Sequence, residues 1–371
     1  MISINSPNFQ NAFPRVLEEL IDNGEDVVVR GQNTKELLSC HISVADTSQL
    51  CYFMPFRKDN IFARIAETLW VLQGRHDVGW LSYYLPRAPE FSDNGRTWRA
   101  AYGARLRHWE YEENDAIAEI DQIGEVLYKL LADPTTRQAV MTIWDPAIDN
   151  EPGLDIPCNN WLHFIRRRFG DTDYLFLDIA QRSADVFWGW SNINVFEWSI
   201  LLKMMSFWTD SESGSIDWLV TSMHMYEHHY KIADKILTGE YLLAYNFKSV
   251  VNWDSPEFST PYKDFDNTLE RVFMQEHEYR HADKDKMPLL ITTGDNLLDI
   301  FSHMLGIYVK FRQGSSDEFL SDMIAGMQES EFKYAALLHI ARERPDILHT
   351  GFDDNDALRL VETIVSIESG K

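Results

Sequence analysis

Apolar positions along the chain fall into two periods. In NIFARIAETLWVLQG, Ile61, Ile65, Leu69 and Leu72 recur at helical spacing, and Gly74 ends the run as a helix stop. IDQIGEVLYKLLADP repeats the pattern and breaks at Pro134. RQAVMTIWD and YLFLDIAQRS carry the β-branched and aromatic residues of buried strands. VFEWSILLKMMSFW is apolar on nearly every face, which predicts a central buried helix. SIDWLVTSMHMYEHHY reads as a strand running into a polar turn or helix. Strands and helices without a regular βαβ alternation predict an α+β fold. After about Asp254 the texture changes: WDSPEFSTPYKDFDN is loop-like, and DNLLDIFSHMLGIYVKF through DALRLVETIVSI is mostly helical. The expected organisation is a first domain over 1–260 and a mostly helical C-terminal extension over 261–371.

Composition narrows this picture. With 371 residues, 45% of them hydrophobic, the chain can bury a sizeable core. Its 12 Trp, 15 Tyr and 21 Phe suit a protein that buries large rings or stacks on flat ligands. A formal charge of −24 argues against a nucleic-acid surface, which needs a basic footprint, so no nucleic-acid partner is expected. A small anion can still be held by a few gathered arginines, and Arg30, Arg137, Arg166 to Arg168 and Arg182 are candidates. No run approaches a membrane span and the first residues lack signal-peptide blocks, so no membrane partner and a cytoplasmic location are expected. Cys40, Cys51 and Cys158 fit neither a disulfide framework nor a CxxC metal site.

The stretch DIPCNNWLHFIRRRF raises the chemical question. A single cysteine is more often a small buried hydrophobe than a nucleophile. Two features favour the nucleophile here: Pro157 restricts the backbone before Cys158, and nearby arginines could stabilise a thiolate. Downstream, QRSADVFWGW sets Arg182 beside Ser183, with Asp185 following. A guanidinium fork and a hydroxyl suit a phosphate; a surface ion pair is the bland alternative, but the flanks here are apolar.

Taken together, IPCNN, QRSADVFWG and HMY resemble the thymidylate synthase family, including its pyrimidine nucleotide hydroxymethylase branch. VVRGQNT is similar to that family's phosphate loop, AETLWVLQG to its signature helix, AAYG to a turn, and DPTTRQAVMTIWD to a segment bearing dimer-crossing arginines. The resemblance covers roughly residues 20 to 250 and implies a thymidylate synthase-like fold, a mixed sheet packed with helices, dimerising through the sheet. It implies that Cys158 adds to C6 of a pyrimidine nucleoside monophosphate, making C5 nucleophilic toward the one-carbon unit of 5,10-methylenetetrahydrofolate. Arg30, Arg182 and Ser183 match phosphate ligands, with Arg137 reaching across from the partner of a homodimer. Glu67 matches a glutamate that orders water and moves protons, and Tyr102 in AAYG joins the catalytic set. His224 and Tyr226 match the pair that holds the sugar hydroxyl. Asp185 matches the aspartate that bonds the folate pterin, with Trp70, Phe91 and Gly189 on the same cofactor side. Trp188 or Trp190 is a further candidate for that wall.

Base choice rests on an asparagine. In GWSNINVFEW the chain holds one extra residue relative to the family, so Asn194 is the better match and Asn192 the alternative register. Either carboxamide suits uracil, whereas cytosine-using members carry a carboxylate. Four departures separate the chain from methylating synthases. Asn159 follows the thiol where they have histidine, and Gln138 replaces a second arginine. Ala88 or Pro89 and Phe91 stand where they have tryptophans, and the chain runs on past their short apolar tail. Weaker folate packing admits water, which predicts a deoxyuridylate hydroxymethylase ahead of a methylating synthase or a cytidylate hydroxymethylase. A non-catalytic nucleotide-binding relative is the alternative from another class, and a binding module would need neither Cys158 nor Glu67. His224 and His228, and His277 and His281, have the four-residue spacing of helix-borne ligands, but no third ligand stands out and no metal is expected.

Overall fold

The computed structural model describes residues 2–113, 116–238 and 255–370. Its α+β chain divides into two compact units: residues 1–47 with 66–230, and residues 48–65 with 231–371.

The first unit is built on a sheet. Its strands are β1 (Ile2–Ser6), β2 (Glu25–Val29), β3 (Gln32–Val44), β6 (Val140–Thr142), β7 (Asn159–Phe169), β8 (Thr172–Gln181), β9 (Ala184–Asp185) and β10 (Glu212–Tyr226). A separate ribbon pairs β4 (Trp109–Glu113) with β5 (Ala116–Ile120). The order along the main sheet is β1-β3-β10-β8-β7-β6, with β2 added to β3 and β9 to β10. Pairing is mixed: β1 and β8 run parallel to their neighbours β3 and β10, whereas β3–β10, β7–β8 and β6–β7 are antiparallel. Along β8, Leu175, Leu177, Ile179 and Gln181 alternate inward at the strand period. β6 is shorter than the apolar run RQAVMTIWD suggests, and only Met141 of its three residues is buried.

Helices α1 (Phe9–Asn23) and α6 (Val195–Trp208) cover the buried face of this sheet. α6 is apolar on nearly every face because most of it is buried; Phe196, Trp198, Ile200 and Leu202 are fully buried, while Phe207 in its last turn is 44% exposed. α2 (Ile61–Leu72) ends as Gly74 turns into the left-handed region at φ +74°. α3 (Val78–Leu81), α4 (Tyr102–Arg107) and α5 (Gln122–Ala132) complete the set. The other sheet face remains partly open, with Leu38 and Leu219 exposed.

The second unit is helical among its described residues: α7 (Tyr230–Thr238) leads in, followed by α8 (Phe265–His281), α9 (Asn296–Arg312), α10 (Asp317–Ala325), α11 (Glu331–Ala341) and α12 (Asp356–Ser369). The segment 48–65 is fixed here by carboxylates. Glu331 accepts the backbone N–H groups of Leu50 and Cys51, and Glu368 accepts that of Phe56. No described helix is long and apolar enough to cross a membrane.

Candidate active site

Register brings the thiol to its arginine. β7 and β8 pair antiparallel with Asn159 opposite Gln181, so the next residues outward, Cys158 and Arg182, face each other. The Arg182 N–H donates to the Cys158 carbonyl at 2.9 Å. Its guanidinium donates to the carbonyls of Pro157 (2.8 Å) and Ile156 (2.9 Å) and stands 3.9 Å from Cys158 Sγ. Pro157 donates no N–H and is locked in φ, and its free carbonyl becomes an anchor for the guanidinium. Cys158 is half-buried. Burial pushes its thiol above the ordinary range; Arg182 and Arg30 pull it down, while Asp155 and Asp185 push it further up.

The expected arginine cluster does not serve the sulfur. Arg166 to Arg168 lie well along β7, where Arg166 pairs with Asp173 at 3.1 Å and Arg168 donates to the Asp171 carbonyl. Arg30 approaches from another direction. It forms the tip of the β2–β3 hairpin with Gly31, at φ +51° and +77°, the left-handed pair that suits a tight hairpin. Arg30 is exposed and acts electrostatically on both Cys158 and Tyr226.

The sugar and hydroxyl candidates gather by parallel pairing of β9 with β10, which sets Asp185 opposite His224. Ser183 Oγ lies 3.5 Å from His224 Nδ1, and the His224 and Tyr226 rings meet edge to face at 5.3 Å. His224 lies on a strand and His228 in the turn after it, so their spacing does not make one helix face.

Beyond Asp185 the chain winds into a π-helix, Val186–Asn194. A π turn takes up one more residue than an α turn, and this one carries Asn192 and Asn194. Asp185 Oδ1 caps this helix, accepting the N–H groups of Phe187 and Trp188, both at 2.7 Å. Its other oxygen makes no hydrogen bond among the described residues. Beside it Trp188 is 48% exposed. A Cβ built on Gly189 would meet only Asn194 Oδ1, at 3.8 Å, so the space over this glycine is open.

Gln181 ties the strands to the π-helix. Its Nε2 donates to Asn159 Oδ1 at 2.8 Å and to Asn194 Oδ1 at 3.0 Å. Asn194, rather than Asn192, therefore joins the network next to the thiol. Tyr102 stacks on Trp198 at 5.9 Å, and burial raises its hydroxyl well above the usual range, with Cys158 and Glu197 adding to the shift. Glu67, on α2, is pushed up to about 8 by burial and by the nearby charge of Asp155.

Other candidates lie apart. Trp70 is 1% exposed, donates its indole N–H to the Asp77 carbonyl at 2.9 Å and packs against Trp98. Phe91 is 39% exposed under the Arg87 guanidinium. Arg137 is exposed, and its guanidinium makes no hydrogen bond or ion pair among the described residues.

Three residues of the site were not singled out from sequence: Gln181, Asp155 and Glu197. Gln181 and Asp155 sit within the quoted motifs; strand register sets Gln181 opposite Asn159 beside the thiol, and Asp155 acts on it from the loop before β7, where it accepts the Ala100 N–H at 2.8 Å. For Glu197 the signal was a lone acid in an otherwise apolar helix run.

The family model described as "Thymidylate synthase" matches residues 11–290. Relatives named deoxyuridylate hydroxymethyltransferase align with the chain in three phages. That of Bacillus phage SP01 is 36% identical over 227 residues, covering 60% of this chain and 58% of the relative. That of Delftia phage PhiW-14 is 34% identical over 196 residues, covering 50% and 51%. That of Pseudomonas phage M6 is 30% identical over 176 residues, covering 47% of each. The chain thus spans only about half the length of these relatives.

Proposed function

The chain belongs to the thymidylate synthase family, and from that premise we propose that it is a deoxyuridylate 5-hydroxymethylase. The observation that carries this reading is the pairing of Cys158 Sγ with Arg182, inside a site that also holds Glu67 and Asn194. The names of the phage relatives point the same way.

Arg182, Arg30 and Ser183 bind the nucleotide phosphate and orient the ring, with His224 and Tyr226 on the sugar hydroxyl. The sulfur of Cys158 bonds to C6, and the electron pair of the C5=C6 bond moves toward O4. Proximity of the guanidinium favours the thiolate that this step needs. Asn194 meets the uracil edge, its amide oriented by the donor of Gln181. Glu67, its carboxyl pushed up to about 8, moves protons through water. The residues present fit a bound pterin: Asp185 keeps one oxygen free, Trp188 offers a ring and Gly189 leaves open space. Bound there, 5,10-methylenetetrahydrofolate supplies the one-carbon unit. Water then completes the hydroxymethyl group, where a synthase would use hydride. The chain acts as a homodimer, with Arg137 completing the partner's phosphate site, and works in a reducing cytoplasm that keeps Cys158 a thiol.

Mass spectrometry of the product made from deoxyuridylate, methylenetetrahydrofolate and isotopically labelled water tests the reading. Labelled oxygen in a hydroxymethyl product, with no dihydrofolate absorbance, is expected. Thymidylate formed together with dihydrofolate would overturn it. Turnover of deoxycytidylate instead would overturn the assignment of Asn194 to uracil.

A further inference from the structure

The third residue of α6 is a carboxylate on the buried length of the helix. Glu197 is 2% exposed, and neither carboxylate oxygen makes a well-formed hydrogen bond among the described residues, the Asn194 side chain being the donor that approaches it. Buried acceptors are almost always satisfied, and an apolar side chain of similar size would serve the core better. A second buried acid, Glu67 of α2, stands close enough to raise the Glu197 carboxyl, after burial the largest influence on it. The Asn194 side chain faces Glu197 and offsets part of that cost. Tyr102 of α4 lies on another side, stacked on Trp198, the residue after Glu197. Two carboxyls buried together resist carrying charge at once, and a proton held between them lets one serve as acid and the other as base. Buried acceptors with capacity to spare suit a small donor, and water is the one that the proposed reaction consumes.

We propose that Glu197 is a second catalytic carboxyl, which with Glu67 holds and activates the water that adds to the pyrimidine's exocyclic methylene. This rests on the hydroxymethylase reading above. The oxygen of water bonds to the methylene carbon, and its proton passes to the Glu197 carboxylate. The methylene π pair moves into the ring and onto O4. The resulting enolate re-forms C5=C6 and expels the Cys158 sulfur as thiolate, and the carboxyl pair returns its proton to solvent or sulfur. The sum is addition of water and release of the enzyme thiol, without oxidant or reductant. A water held by paired carboxyls competes with hydride for the same carbon, so Glu197 also determines which product forms.

The test uses deoxyuridylate tritiated at C5, with methylenetetrahydrofolate and the full chain. Tritium release reports loss of the C5 proton, which precedes hydration; mass spectrometry reports the hydroxymethyl product. In Glu197→Gln, product formation should fall about 100-fold while tritium release falls far less. Added 2-mercaptoethanol should then capture the stranded methylene as a thioether. The amide keeps the side-chain shape and carries no charge, so the thermal midpoint should not drop. Glu197→Asp, with its charge retracted, should show the same split more weakly. Product and tritium release falling in step, or product forming at the wild-type rate in both variants, would overturn the role of Glu197. Wild-type protein that forms thymidylate and dihydrofolate would overturn the hydroxymethylase reading, and this inference with it.

Discussion

Cys158 sits in a balance between burial, which holds its proton on, and two guanidiniums, which draw it off. Removing Arg182 leaves burial less opposed. The rate at which iodoacetamide alkylates Cys158, followed by peptide mass spectrometry, should rise with pH at a higher midpoint in Arg182→Gln than in the wild type. Cys40, raised to about 11, and Cys51, buried beside Glu331, should react little in either protein. An unchanged midpoint would remove Arg182 from the activation of the thiol. Glu67 gives a prediction with a definite sign. Its folded-state pKa of about 8 lies above the ordinary glutamate range, so the folded chain keeps a proton that the unfolded chain loses. Stability from this group is therefore complete at acid pH, declines as pH rises through that window, and levels off above about 8. Glu67→Gln should gain stability over the wild type at pH 9 and lose that advantage near pH 4, measured by urea unfolding. Its turnover should fall about 100-fold or more.

At the scale of elements, strand register assembles the site, and this explains what the sequence disclosed and what it withheld. The helical period and Gly74 announce α2, and the alternation in YLFLDIAQRS announces β8, because local backbone and one buried face dictate both. That Cys158 meets Arg182 depends on an antiparallel pairing between segments more than twenty residues apart, which no local pattern encodes; there the family resemblance supplied the expectation. The nearer cluster Arg166 to Arg168 was misleading because a strand carries its side chains steadily away from its first residue. No local pattern announced the π-helix, and Glu197 stood out only as an acid where the period wanted an apolar group. Asp185 shows an element and a site sharing one side chain. Asp185→Ala should lose the cap and cost about 1 kcal/mol in thermal unfolding. Asp185→Asn can still accept from Phe187 and Trp188 and should cost much less. Both should raise the KM for methylenetetrahydrofolate. Equal destabilisation by the two substitutions would show that the cap contributes little.

The whole molecule is strongly anionic, yet its proposed substrate is an anion as well. Arg30 and Arg182 supply local positive charge in the first unit, and a homodimer would bring a further cation from the second protomer. The sheet offers a route. One face is packed under α1 and α6, while the other leaves Leu219 and Leu38 exposed beside the partly exposed His163 and Asp178, a surface suited to a second copy of the chain. Under two-fold symmetry each protomer would lend Arg137 to its partner's phosphate. Mixing subunits tests this directly. Homodimers of Cys158→Ala should be inactive, and those of Arg137→Ala should lose about 10-fold or more at low nucleotide concentration. In a mixed dimer, the Arg137→Ala protomer keeps its own sulfur and receives the intact arginine of the Cys158→Ala protomer, so one site of the two is whole. Random exchange of equal amounts makes half the dimers mixed, and activity should recover to about a quarter of the wild-type value. If Arg137 serves the phosphate of its own chain, no combination unites the two residues, and the mixture stays as weak as its parents.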